Sequence, residues 1–122
     1  MARIVVVDDS KLMRNLLRAI LEQAGHEVET WEDVTAGEVA ERITAANPDL
    51  LVTDYQMPGC NGLTLVRMAR KAKPELPVVV LTATHDPAVM ASLKNQAASH
   101  LLHKPLREAE LLETVAALLN QS

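Results

Sequence analysis

Aromatic side chains are nearly missing from this chain: it has no Phe, one Trp (Trp31) and one Tyr (Tyr55). A core must therefore be assembled from Leu, Val, Ile, Ala and Met. Nucleic-acid platforms built on stacked rings, as in RRM and OB folds, are excluded. Cysteine is limited to Cys60, so no intramolecular disulfide framework forms, which fits a reducing cytosol. No apolar run approaches the roughly 18 residues of a membrane span. Met1-Ala2-Arg3-Ile4 leads straight into a strand-like run and does not resemble a signal peptide, so a cytoplasmic location is expected. Positive charge is also short. Lys and Arg number 12 against 16 Asp and Glu, a net charge of -4, which leaves no general attraction for nucleic acid or anionic lipid.

What remains is an ordinary globular mixture, 48% hydrophobic and 23% charged over 122 residues. That length reads as one domain, residues 1–122, with enough chain for a single sizeable core. Short β-branched runs alternate with amphipathic stretches. Ile4 to Val7 is a continuous apolar run that stops at Asp8. Leu12, Leu16, Leu17, Ile20 and Leu21 then recur at helical spacing, and Gly25 ends that helix. Glu27 to Trp31 alternates like a less buried strand. Val39, Ala40 and Ile43 form a second helical stripe that stops before Asn47-Pro48. Leu50-Leu51-Val52 leads to Asp54, and turn residues Met57 to Gly62 follow. A third helix, about 63–72, is closed by Pro74 and Pro77. Val78 to Leu81 is a fourth strand that ends at Thr82. Asp86-Pro87 reads as a cap and first position of a weakly apolar helix with Val89, Met90 and Leu93. Leu101-Leu102 is the centre of a fifth strand, and Leu111, Leu112, Val115, Leu118 and Leu119 stripe a last helix. Five strand–helix pairs with continuous apolar strands predict an α/β fold: a doubly wound, five-stranded parallel sheet in a flavodoxin-like three-layer sandwich.

Ligands of such sheets sit beyond the carboxyl ends of the strands. There the chain places Asp8-Asp9, Asp54, Thr82 and Lys104. Taken singly, each has a plain explanation: Asp9 and Ser10 as helix caps, Asp54 as a turn residue, Thr82 as a strand end, Lys104 as a surface charge. Their shared edge is what the plain explanations leave out. Three crowded carboxylates repel one another and call for a cation, and oxygen-only ligands suit Mg²⁺. The ion together with Lys104 balances the three acids. A phosphoryl group then finds two oxygens held by Mg²⁺ and Lys104 and a third by the Thr82 hydroxyl. A carboxylate can act as the nucleophile.

The set Val5-Val6-Val7-Asp8-Asp9-Ser10, Asp54 with Met57-Pro58 and Asn61-Gly62, Thr82-Ala83 and Lys104-Pro105 resembles the receiver domains of two-component response regulators, of the CheY type. The resemblance covers the whole chain in order. It implies that Asp54 accepts a phosphoryl group from a sensor histidine kinase or phosphotransfer protein. It implies Mg²⁺ held by Asp9, Asp54 and the Gln56 backbone carbonyl, with Asp8 acting mainly through water. Lys104 would pair with the phosphoryl group, Thr82 would move toward it, Thr82, Ala83 and position 101 would carry the switch, and Gln56 and Thr84 would tune its lifetime. A cis Lys104–Pro105 bond is implied as well. Output would go to a downstream partner or an output domain absent from this chain, with no direct nucleic-acid or membrane contact, from a monomer or weak dimer.

Three positions depart from the family pattern. The readout aromatic three residues before the lysine is Leu101, a usual glycine is Ala97, and a usual acid is Asn61. Leucine cannot swing a ring in or out, so readout is expected from the loop after Thr82 and the fourth helix. His85, His100 and His103 raise a metal reading. His100 and His103 differ by an odd number in a strand and so face opposite ways, which favours a histidine-lined surface instead. Arg67, Arg70, Lys71 and Lys73 read as a solvated, dipole-matched helix end, and Cys60 as passive. Two other functions draw on the same residues. A haloacid-dehalogenase-like phosphohydrolase would need an Asp-x-Asp pair where this chain has Asp8-Asp9-Ser10. A phosphorylation-independent adaptor would have no reason to keep a repelling acid cluster.

Overall fold

The computed structural model describes residues 2–56, 60–83, 85–95 and 100–120. Expectations placed on Met57 to Gly59, Thr84, Ala97 and the Leu93 side chain fall outside them. Five strands, β1 (Arg3–Val7), β2 (Glu27–Trp31), β3 (Leu50–Asp54), β4 (Val78–Thr82) and β5 (His100–His103), form one sheet in the order β2-β1-β3-β4-β5. All pairings are parallel. The helices are α1 (Lys11–Gln23), α2 (Val39–Ala46), α3 (Gly62–Ala72), α4 (Pro87–Asn95) and α5 (Glu108–Leu119). A 3₁₀ turn at Ala36–Glu38, unmarked by any pattern in the sequence, leads into α2.

The apolar runs of the strands are continuous because both sheet faces are covered. Ile4, Val6, Leu50, Val52, Val79, Leu81 and Leu102 point to the α1–α5 side, where they meet Leu17, Leu21, Leu111 and Val115. Val5, Val7, Leu51, Val78 and Val80 point the other way, onto Ile43, Leu65, Val66 and Ala69. The scarce rings sit at the margin of this second layer. Trp31 is buried on the edge strand, its indole N–H donates to Glu29, and the Arg42 guanidinium lies 4.2 Å from its ring centre.

The reading of α1 needs a correction. Leu17, Ile20 and Leu21 are buried, but Leu12 is 77% and Leu16 44% exposed. Met13, not Leu12, completes the row that packs on the sheet. Rows starting at 12 and at 13 are both helical in spacing. Only the angle at which the helix meets the sheet chooses between them.

Chain turns are locally encoded. The Ser10 hydroxyl accepts the Met13 N–H at 3.3 Å and Asn61 accepts that of Thr64 at 2.9 Å, capping α1 and α3. Gly25 closes α1 at φ +97, a backbone shape that costs glycine little. The basic end of α3 is partly structural. Arg70 donates to the Leu76 carbonyl at 3.1 Å, and the Lys73 ammonium to the Pro48 carbonyl at 2.6 Å, while Arg67 and Lys71 are exposed.

Candidate functional site

In the order β2-β1-β3-β4-β5 the chain reverses direction of winding between β1 and β3, so the crevice opens beyond those two carboxyl ends. Asp8 follows the last residue of β1, and its amide donates to the Trp31 carbonyl at 3.1 Å. Asp54 is the last residue of β3, and the next amide, that of Tyr55, donates to the Leu81 carbonyl at 2.9 Å. The start of α3 is pressed against this strand end. Gly62 donates its N–H to the Tyr55 carbonyl at 2.7 Å, and a Cβ at Gly62 would stand 2.8 Å from the Tyr55 Cα. Only glycine fits that approach.

The side chains converge as the strand ends require. Carboxylate oxygens of Asp8, Asp9 and Asp54 lie within 4.8 Å of one another. Asp8 is fully buried and Asp54 only 7% exposed, whereas Asp9 faces solvent. The Lys104 ammonium stands 3.0 Å from Asp54 Oδ1. Thr82, 1% exposed, lies opposite His103 in the β4–β5 ladder, and its carbonyl accepts the Lys104 N–H at 2.9 Å. Ala83 is exposed just beyond it, and Gln56 is exposed just beyond Tyr55. The Lys104–Pro105 bond is cis.

Burial pushes the Asp8 carboxyl above its ordinary value of 3.8, and the nearby Asp54 and Asp9 charges add to this. The Ser10 N–H, donated to Asp8 Oδ1 at 2.9 Å, and the Lys104 charge pull it back down. Asp8 Oδ2 is buried and has no hydrogen-bond partner among the described residues. An orphaned carboxylate oxygen in an all-oxygen acidic cluster fits a hard divalent cation. Cys60 is buried nearby, and burial raises its thiol pKa, so it is a poor nucleophile.

Three further side chains lie on or beside β5. Leu101 is half-buried and packs, with Val89 of α4, against the α2–α3 side of the core. His85 and His103, which the sequence groups with His100 as a histidine-lined surface, stack with parallel rings 5.0 Å apart. No sequence pattern carries that contact, because it joins a loop to a strand across the β4–β5 pairing.

A doubly wound sheet with three acids, a threonine and a lysine at one edge defines a class, the flavodoxin-like α/β sandwich with an acidic carboxyl edge. The profile of the response regulator receiver domain matches residues 4–116, and the chain belongs to that family. It is 37% identical over 120 residues to response regulator MprA of Mycobacterium ulcerans, covering 98% of this chain and 51% of that protein. Over 100 residues it is 36% identical to the DNA-binding transcriptional regulator NtrC of Klebsiella pneumoniae, covering 82% of this chain and 21% of that one. The chain thus spans about half of the first relative and about a fifth of the second. Among solved structures it resembles chemotaxis protein CheY4 of Vibrio cholerae. The TM-score is 0.86 at 30% identity, with 97% of this chain and 98% of that one covered. A CheY-like receiver domain from Methanospirillum hungatei superposes with a TM-score of 0.89 at 28% identity, covering 99% and 95%. Among the described residues no helix is long and apolar enough to cross a membrane.

Proposed function

We propose that residues 1–122 form a receiver switch that takes a phosphoryl group on Asp54 from a sensor histidine kinase or phosphotransfer protein. The observation that carries the reading is the Asp54 carboxylate itself. It is held at the end of β3, 3.0 Å from the Lys104 ammonium and inside the acidic cluster with Asp8 and Asp9. A carboxylate oxygen of Asp54 attacks phosphorus, an O–P bond forms, and the P–N bond to the donor imidazole breaks with its electron pair leaving on nitrogen. Lys104 neutralises one phosphoryl oxygen and the Thr82 hydroxyl turns to donate to another. Asp9, Asp54 and the Gln56 carbonyl would hold Mg²⁺ directly, with Asp8 reaching it through water. The ion, when bound, supplies positive charge opposite the phosphoryl oxygens. Hydrolysis returns the carboxylate, and Gln56 and Thr84 tune the lifetime of the phosphoryl group.

A phosphoryl group brings roughly -1.5 to -2 charge. Moving a two-state domain from 1:99 to 99:1 needs about 5.5 kcal/mol of differential interaction, which three fixed contacts to that charge supply. Because Leu101 already packs inward, the state is read out through Thr82, Ala83 and the start of α4 by a cytoplasmic partner or an attached output domain. The chain itself acts as a monomer or weak dimer.

The test is acetyl phosphate with Mg²⁺, read by intact mass on wild type and Asp54→Asn. One phosphoryl group on the wild type and none on the variant is expected. An unmodified, folded wild type overturns the reading, and so does sustained turnover of simple phosphate esters, which belongs to a phosphohydrolase.

A further inference from the structure

The stacked pair of His85 and His103 lies outside the acidic cluster and has no part in the chemistry above. Each ring is held by its backbone. His103 is fixed opposite Thr82 in the β4–β5 ladder, one residue before Lys104. His85 immediately precedes Asp86, whose carboxylate accepts the Ala88 N–H at 2.9 Å and whose carbonyl accepts that of Met90 at 3.0 Å, so the start of α4 sets its position. By strand alternation His103 shares a face with Leu101, while His100 is on the face of Leu102 and is exposed. The odd spacing noted in sequence therefore separates His100 from His103, but the fold supplies His103 with a different partner.

The ring separation, ordinary for a stacked pair, also suits a metal chelate. A Zn–N bond of about 2.0–2.1 Å, added to the roughly 1.1 Å from a ring nitrogen to its centre, sets each centre about 3.2 Å from the ion. Two imidazoles at a tetrahedral angle about one ion then have centres about 5.2 Å apart. Those of His85 and His103 are 5.0 Å apart. Only the planes differ, parallel here to within 2°. Rotation about χ2 turns a ring almost in place, swinging its nitrogens toward the ion without moving its centre or the backbone. His85 is exposed, so it can make that turn.

We propose that His85 and His103 form a two-imidazole site for a borderline transition-metal ion such as Zn²⁺, Ni²⁺ or Cu²⁺, with water in the remaining positions. It is separate from the hard-cation acidic cluster, in donor type as well as in place. An ion there ties the segment after Thr82 to the strand that leads into Lys104.

The experiment titrates Zn²⁺ into the unphosphorylated protein in saturating Mg²⁺ and follows the ring nitrogens of all four histidines by long-range ¹H–¹⁵N NMR. The ring signals of His85 and His103 should shift together and saturate at one equivalent, with those of His26 and His100 unmoved. His85→Ala and His103→Ala should each weaken Zn²⁺ binding at least tenfold, and His100→Ala should leave it unchanged, with amide spectra confirming that all three stay folded. Independent titration of the two rings, unchanged binding after removal of either, or no ring shift at all overturns the proposal. Because the protein is unphosphorylated, none of these outcomes depends on the chemistry at Asp54.

Discussion

Replacing Asp8 with asparagine removes one charge from the acidic cluster but keeps the acceptor for the Ser10 N–H. The orphaned Oδ2 becomes an amide that can donate to the neighbouring carboxylates. With the oxygens no more than 4.8 Å apart, each pair of charges repels by about 3.5 kcal/mol at an effective dielectric of about 20. Lys104 and the solvent around Asp9 offset most of this. A net gain of about 1–2 kcal/mol is expected for the metal-free variant. At about 4 °C per kcal/mol for a chain of this size, that raises Tm by about 4–8 °C. Mg²⁺ acts the opposite way. At about one hundred times Kd it adds about 2.7 kcal/mol to the wild type, near 10 °C, and far less to the variant. The assay is a thermal melt of both proteins with EDTA and with Mg²⁺. A variant less stable than wild type in EDTA, or an equal Mg²⁺ shift in both, refutes the reasoning. The pH dependence has a definite sign. Because the Asp8 carboxyl is raised, the folded state binds the proton more tightly than the unfolded chain. Metal-free wild type therefore gains stability relative to Asp8→Asn as pH falls through the raised value toward 3.8, and loses it as pH rises.

Three further outcomes are expected. Leu17→Ala should cost about 2–5 kcal/mol in urea unfolding, because Leu17 is fully buried, and exposed Leu12→Ala no more than about 0.5; equal costs would contradict the packing of α1. Gly62→Ala should cost about 1–3 kcal/mol, since the added Cβ meets Tyr55 backbone that cannot step aside, and an unchanged urea midpoint would refute that. Leu101→Tyr should leave acetyl phosphate labelling of Asp54 intact while altering partner affinity in pull-down or calorimetry. Loss of labelling in folded protein would show that position 101 belongs to the chemistry and not to the readout.

The alternation of apolar runs with helical stripes, the stop residues Gly25, Asn47-Pro48 and Pro74, and the acids at the strand ends are all local signals. Strand and helix order could be read from them because each apolar run is short and bounded. The acidic cluster and its lysine were legible for the same reason: in a parallel sheet every strand end lies at one edge, so Asp8, Asp54 and Lys104 meet once the order is known, and Thr82 ends β4 at that edge. Helix rotation was not legible. Leu12 and Leu16 fit the spacing as well as Met13 and Leu17 do, and no local term separates them. The 3₁₀ turn at Ala36–Glu38 was also missed, because Thr35 makes no capping bond and the turn has no apolar stripe.

By itself, then, the chain determined which residues make strands and helices, which charged residues gather at the carboxyl edge, and that the core would be almost wholly aliphatic. Tertiary structure alone decided three things: which face of α1 is dry, that Asp8 buries an unpartnered oxygen while Asp9 stays wet, and that His85 stands over His103. The physical reason is common to all three. Periodicity and capping act within a few residues, whereas burial and cross-element contact depend on where the sheet lies against each segment.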